Sequence, residues 1–152
     1  GIVCFDHFML VAGGYDAKGD MTAARYLFEF GRDTIVRVAN LAKEDPYAIP
    51  FAGVALTYYN KQLYAFGGVD EEMQFLTPKV SDDLGGHWRE LNLTNYRLEA
   101  SSVDTISQIF NRWKMNVYTD SIYLYLKGGE NKTERFNDSY RALLNSVGFK
   151  NN

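Results

Sequence analysis

The stretch Leu63-Tyr64-Ala65-Phe66-Gly67-Gly68 lies near the middle of the chain, and its reading decides the rest. Apolar and aromatic residues run straight into two glycines, as a half-buried strand does when it ends where no side chain fits. The same cassette occurs twice more. Met9-Leu10-Val11-Ala12-Gly13-Gly14 begins fifty-four positions earlier, and Leu124-Tyr125-Leu126-Lys127-Gly128-Gly129 begins sixty-one positions later.

A recurrence of about 50 residues is the spacing of one β-propeller blade per repeat. The expected fold is all-β, a single segment over 1–152 with repeats of roughly 1–45, 46–95 and 96–152. In the first repeat, strands are expected over 1–5, 8–12, 25–30 and 34–39. In the second they are expected over 53–59, 63–66, 73–80 and 87–93, with Pro78 placing the third at an outer position or a bulge. The third repeat follows a longer connection over 94–112, in which Ile106, Ile109 and Phe110 could support a helical turn. Its strands are expected over 113–118, 122–126 and 136–144. A helix over 138–144 competes with the last of these, and Val147-Gly148-Phe149 is all that remains for a fourth strand.

Composition narrows the function classes. The 152 residues carry a net charge of −3, which gives no electrostatic footprint for nucleic acid. No apolar run approaches the roughly 20 residues of a membrane span, and no secretory leader is visible. Cys4 is the single cysteine, so an internal disulfide framework is excluded, and the expectation is a small buried hydrophobe on a strand. Three Asn-X-Ser/Thr sequons begin at Asn92, Asn131 and Asn137. They make the chain a candidate glycoprotein and leave its compartment open between cytoplasmic and secreted or cell-surface.

The cassettes and their surroundings resemble kelch repeats of β-propellers. The resemblance rests on Gly13-Gly14, Gly67-Gly68 and Gly128-Gly129, on the apolar strands before them, and on Trp88, twenty positions after Gly68. Pro50, Gly53 and Asn60 also fall at kelch-like places. Ile35 stands where the first repeat would carry a tryptophan, and Lys127 replaces the usual apolar residue in the third. The resemblance implies blades around a shared axis, with the glycines as structural positions that let backbones approach closely. Propellers close with 4–8 blades, so three repeats imply further blades from another chain or copy, or a piece of a larger propeller.

The leading function expected from this pattern is a non-enzymatic, kelch-type scaffold for protein–protein interaction. Its contact loops are 15–20, 69–72 and 130–134, with the connections 43–50 and 96–104. Candidate contact residues are Tyr15, Asp16, Tyr47, Asp70, Glu71, Glu72, Tyr96, Arg97 and Asn131, aromatic and arginine side chains being the usual interface anchors. The alternative is part of a propeller-based enzyme, of copper-radical oxidase or sugar-acid isomerase type, with its other catalytic residues in further blades. His7 and His87 lie in turns and are expected in solvent. No catalytic residue, cofactor or metal ligand is assigned. The acidic groups at 70–72 and 82–83 lack the spacing of a calcium loop.

Overall fold

Each cassette forms the second strand of its own antiparallel sheet. A computed structural model describes residues 1–40, 49–91 and 109–144. The first sheet holds β1 (Ile2–Phe5), β2 (Phe8–Ala12), β3 (Arg25–Phe30) and β4 (Ile35–Asn40) in that order. The second holds β5 (Ala55–Tyr59), β6 (Gln62–Phe66), β7 (Lys79–Ser81) and β8 (Arg89–Glu90) in the same order. The third holds β9 (Asn116–Thr119), β10 (Tyr123–Lys127) and β11 (Ser139–Leu143), with β10 between the other two. These are three blades of a β-propeller whose ring is open.

Local chemistry explains the hairpins. Asn60 and Lys61 both have positive φ, 48° and 61°, and link Tyr59 to its cross-strand partner Gln62. Two left-handed residues match the twist of the strands they join, and asparagine tolerates that conformation better than most residues. In the β1–β2 turn only the first residue, Asp6 (φ 50°), takes the left-handed conformation.

The inner strands β1, β5 and β9 lie side by side in succession, so blade 2 packs between the other two. Alternation sends successive side chains of each strand to opposite faces. Leu10 and Ala12 of blade 1 meet Leu56 and Leu63 of blade 2 in one apolar cluster. Tyr64 and Phe66 leave the other face of blade 2 and meet Leu124, Leu126 and Tyr140 of blade 3. The helical pair Ile109 and Phe110 joins that second cluster, with Phe110 stacked on Phe66 at 5.3 Å.

The three glycine pairs occupy like places and share one conformation. Their φ values are 63° and 103° in blade 1, 62° and 81° in blade 2, and 64° and 97° in blade 3. In blades 1 and 2 the crowding at the first glycine comes from the segment that leads into the next blade. The N–H of Gly14 donates to the carbonyl of Phe51 at 2.7 Å, and that of Gly68 to the carbonyl of Arg112 at 2.8 Å. A β-carbon on Gly13 would lie 2.4 Å from the Phe51 oxygen, and one on Gly67 would lie 2.2 Å from the Arg112 oxygen. The glycine pairs of blades 1 and 2 are therefore joints to the blade that follows.

Several expectations are corrected. The strand expected over 73–80 shrinks to Lys79–Ser81, because Val69 bridges Phe75 and Met73 turns at a φ of 59°. The fourth strand of that blade is only Arg89–Glu90. In blades 2 and 3 the inner strand starts later than expected, since Gly53 (φ 68°) and Lys114 (φ 56°) break the extended backbone. The competing helix over 138–144 gives way to a strand, each residue from Ser139 to Leu143 pairing across to β10. Cys4 is exposed, because β1 turns it to the face of blade 1 that points away from blade 2. Ile35 is exposed too and anchors nothing at the tryptophan position. Ile106 and the stretch 147–149 lie outside the described residues.

Candidate interaction face

The loops after the glycine pairs leave the same end of each sheet, beside the segments that lead into the inner strands. A common device shapes them. Two positions beyond each pair stands a short polar acceptor: Asp16, Asp70 or Asn131. Asp16 Oδ1 accepts from the N–H groups of Lys18 and Asp20 at 2.8 and 3.0 Å. Asp70 Oδ1 accepts from the N–H of Gln74 at 2.8 Å. Asn131 Oδ1 accepts from the N–H groups of Thr133 and Glu134 at 2.9 and 3.0 Å. Each loop then closes back on its second glycine, whose carbonyl accepts from Thr22, Leu76 or Phe136.

This arrangement separates the candidate contact residues into two groups. Asp16, Asp70 and Asn131 turn their acceptor oxygens onto their own loops and set loop shape. Tyr15 (60% exposed), Glu71 and Glu72 project from that frame into solvent. Tyr47, Tyr96, Arg97 and the sequon residue Asn92 lie outside the described residues. Asn137 is exposed, and Asn131 is partly covered.

Between the loops of blades 2 and 3 lies a polar cavity of about 530 Å³, bordered by Phe75, Arg112, Glu134, Phe136 and Asp138. Its floor is a salt bridge not anticipated from the sequence. Arg112 is buried, with Nη1 and Nη2 at 2.6 and 2.9 Å from the two carboxylate oxygens of Asp138. Its guanidinium covers the Phe136 ring at 3.6 Å, and Nη1 also reaches the Gly128 carbonyl at 3.3 Å. Burial pushes the Asp138 carboxyl up, but hydrogen bonds from Arg112 and Tyr140 outweigh it and hold it below its usual range. The available signal was an arginine directly before an alternating strand, where the equivalent place in blade 2 carries Phe51. Next to this pair, Glu130 gathers Trp113 Nε1 at 2.9 Å, Lys114 Nζ at 2.5 Å and Arg135 Nε at 3.2 Å.

A second cavity, about 270 Å³, is lined by blade 2 and the segment leading into it, beside Phe51, Leu76, Lys79, His87 and Trp88. Trp88 is half-buried and packs against the cluster between blades 1 and 2. His7 and His87 belong to different blades and are bound locally. His7 lies 3.5 Å from Glu29, and His87 Nδ1 lies 2.6 Å from Asp83. Among the described residues, no three His, Cys, Asp or Glu side chains converge as a metal site. No described helix is long and apolar enough to cross a membrane.

The model of the DUF6242 beta propeller domain matches residues 6–152. The chain belongs to this family. Comparison with curated proteins gives no match. Among solved structures the family member resembles YjhT with a TM-score of 0.56 and 15% identity. The likeness covers 91% of this chain and 40% of YjhT, so the chain spans well under half of that structure. At that identity the likeness speaks for the fold of this DUF6242 propeller segment and for nothing finer.

Proposed function

We propose that the chain is a kelch-type, non-enzymatic scaffold that presents its loop face to a protein partner. The observation that carries this reading is the repeated loop frame, which holds Tyr15, Glu71 and Glu72 in solvent on backbone fixed by Asp16 and Asp70. An exposed aromatic residue on a rigid support loses little conformational freedom on binding. The acidic tip at Asp70, Glu71 and Glu72 suits a partner surface rich in lysine and arginine.

The test compares the wild-type chain with a Tyr15→Ala/Glu71→Lys/Glu72→Lys variant in affinity capture from the native source. A partner held by the wild type and lost by the variant, at an unchanged unfolding midpoint, supports the reading. Equal capture by both overturns it, as does turnover of a small substrate by the purified chain.

A second reading, part of a propeller-based enzyme, draws on the polar cavity above Arg112 and Asp138. Glu134→Gln, which leaves the Arg112–Asp138 pair intact, would abolish turnover under that reading and leave partner capture unchanged under the first.

A further inference from the structure

Blades 2 and 3 differ at one pair of register positions, and the difference leaves a space. Two positions before the glycine pair of blade 3, Leu126 pairs across to Tyr140 on β11. Both join the cluster shared with blade 2, at 2% and 8% exposed, and fill the joint there. The same two positions in blade 2 are Ala65 and Lys79, paired across β6 and β7 on the face that carries Leu56. An alanine methyl stands where blade 3 has a leucine, and a flexible lysine stem where it has a tyrosine ring. Both are only partly covered, and both line the cavity of about 270 Å³. Phe51, Leu76 and Trp88 give that cavity apolar and aromatic surface, with Ile49, 63% exposed, beside them. The Lys79 ammonium enters no ion pair or hydrogen bond among the described residues. Glu90, its cross-strand neighbour on β8, accepts from Thr77 Oγ1 at 3.3 Å instead. His87, also at the cavity, is held by Asp83 at 2.6 Å.

We propose that this cavity binds a small organic carboxylate, its apolar or aromatic body against Phe51, Leu76 and Trp88 and its charged end on Lys79 Nζ. Apolar walls with one well-placed polar group are the usual make-up of a ligand pocket, the walls holding the body and the polar group fixing its orientation. An ammonium without a partner favours an anion over a neutral molecule of the same shape, because a hydrogen bond between two charged groups is the stronger one. The volume lies just under the roughly 300 Å³ at which ligand pockets usually begin, which confines the occupant to a small molecule. The site shares no residue with the contact set Tyr15, Glu71 and Glu72, so this proposal and the scaffold reading fail separately.

The test titrates the chain with 3-phenylpropionate and with 3-phenylpropanol, which keeps the body and lacks the charge, in a calorimeter. The acid is expected to bind saturably and the alcohol about tenfold more weakly, the worth of one hydrogen bond between charged groups at a half-exposed site. Lys79→Met is expected to bring the acid down to the affinity of the alcohol and to leave the alcohol unchanged, a split that general damage to the fold does not produce. Ala65→Leu copies blade 3, fills the space, and is expected to abolish binding of both at an unchanged or raised unfolding midpoint. No saturable binding of the acid up to ~10 mM, beyond which a site of this kind has no useful affinity, overturns the proposal. So does equal affinity for acid and alcohol, acid binding that ignores Lys79→Met, or acid binding that survives Ala65→Leu.

Discussion

Gly67 and Gly128 occupy the same place in adjacent blades with almost the same backbone, at φ 62° and 64°, yet their surroundings differ. A β-carbon at Gly67 would meet the Arg112 carbonyl oxygen at 2.2 Å and the Met115 methyl at 2.8 Å. At Gly128 the one contact among the described residues is the Phe136 carbonyl oxygen at 3.2 Å. Conformation and crowding, usually confounded in a glycine, are separated here: both positions need the left-handed backbone, and Gly67 also needs the space for its neighbour. At the first glycine of each pair the repeat therefore preserves one backbone shape, and among the described residues the next blade crowds it at Gly13 and Gly67 but not at Gly128.

The largest expected effect breaks that comparison directly. Gly67→Val adds a clash with backbone to a strained φ and is expected to cost about 3 kcal/mol or more, enough to unfold a marginal domain. Gly128→Val carries chiefly the conformational strain, about 1–2 kcal/mol. Urea unfolding of the two variants measures the difference, and equal losses would mean that the joint at Arg112 is loose. The pair Gly68→Ala and Gly14→Ala sharpens the point. A β-carbon at Gly68 would lie 2.4 Å from a Val54 methyl, whereas Gly14 has nothing within 4 Å among the described residues.

Next in size is the joint's own salt bridge. Arg112→Met leaves Asp138 without its cation beneath the loops and is expected to cost about 3 kcal/mol, at the low end for a buried pair because Asp138 is partly solvated. Replacing both partners, Arg112→Met with Asp138→Leu, is expected to recover much of that loss. A double-mutant cycle by chemical denaturation checks the coupling.

A smaller effect distinguishes Tyr64 from Tyr125. Tyr64 O–H donates to Gln62 Oε1 at 2.7 Å inside the core, and the Gln62 amide in turn donates to Asp82. Tyr64→Phe leaves a buried acceptor unmatched and is expected to cost about 1–2 kcal/mol. The Tyr125 O–H donates to exposed Asp120 at 2.9 Å, and Tyr125→Phe is expected to cost less than about 0.5 kcal/mol in thermal or urea unfolding.

The propeller was legible because its determinants are local. Glycines at matched points, alternating apolar strands and two-residue turns such as Asn60-Lys61 each act within a few positions. The loop frame was half legible. Gly-Gly-X-Asp at 13–16 and 67–70 and Gly-Gly-Glu-Asn at 128–131 stand plainly in the chain, but a short polar residue in a loop reads equally as a contact residue or as a turn former. Only the hydrogen bonds of Asp16, Asp70 and Asn131 decide between the two. Arg112–Asp138 was not legible, since it joins residues twenty-six positions apart that no periodicity connects. Cys4 was misplaced for a related reason. Alternation gives two faces to a strand, and which one is covered depends on the neighbouring blade.

The smallest effect tests the outer turn of blade 2 against the buried joints. Burial pushes the Asp83 carboxyl up, but hydrogen bonds from the His87 backbone, the His87 ring and Ser81 outweigh it and bring the pKa down to about 2. A carboxylate depressed in the folded state stabilises the fold at pH values above its unfolded pKa, ordinarily 3.8, and that contribution is lost as the pH falls through about 2. The side chains of His87 and Asp83 are 86% and 46% exposed, so solvent screening keeps the contribution under about 1 kcal/mol. Asp83→Asn is therefore expected to lower stability slightly at neutral pH and to flatten its decline between about pH 4 and pH 2. Urea midpoints across that range check the slope, and raised salt is expected to shrink the difference, as it does for exposed charges and not for the core. An unchanged slope in Asp83→Asn would place the acid sensitivity elsewhere, with the partly buried Asp138 the next carboxylate to replace.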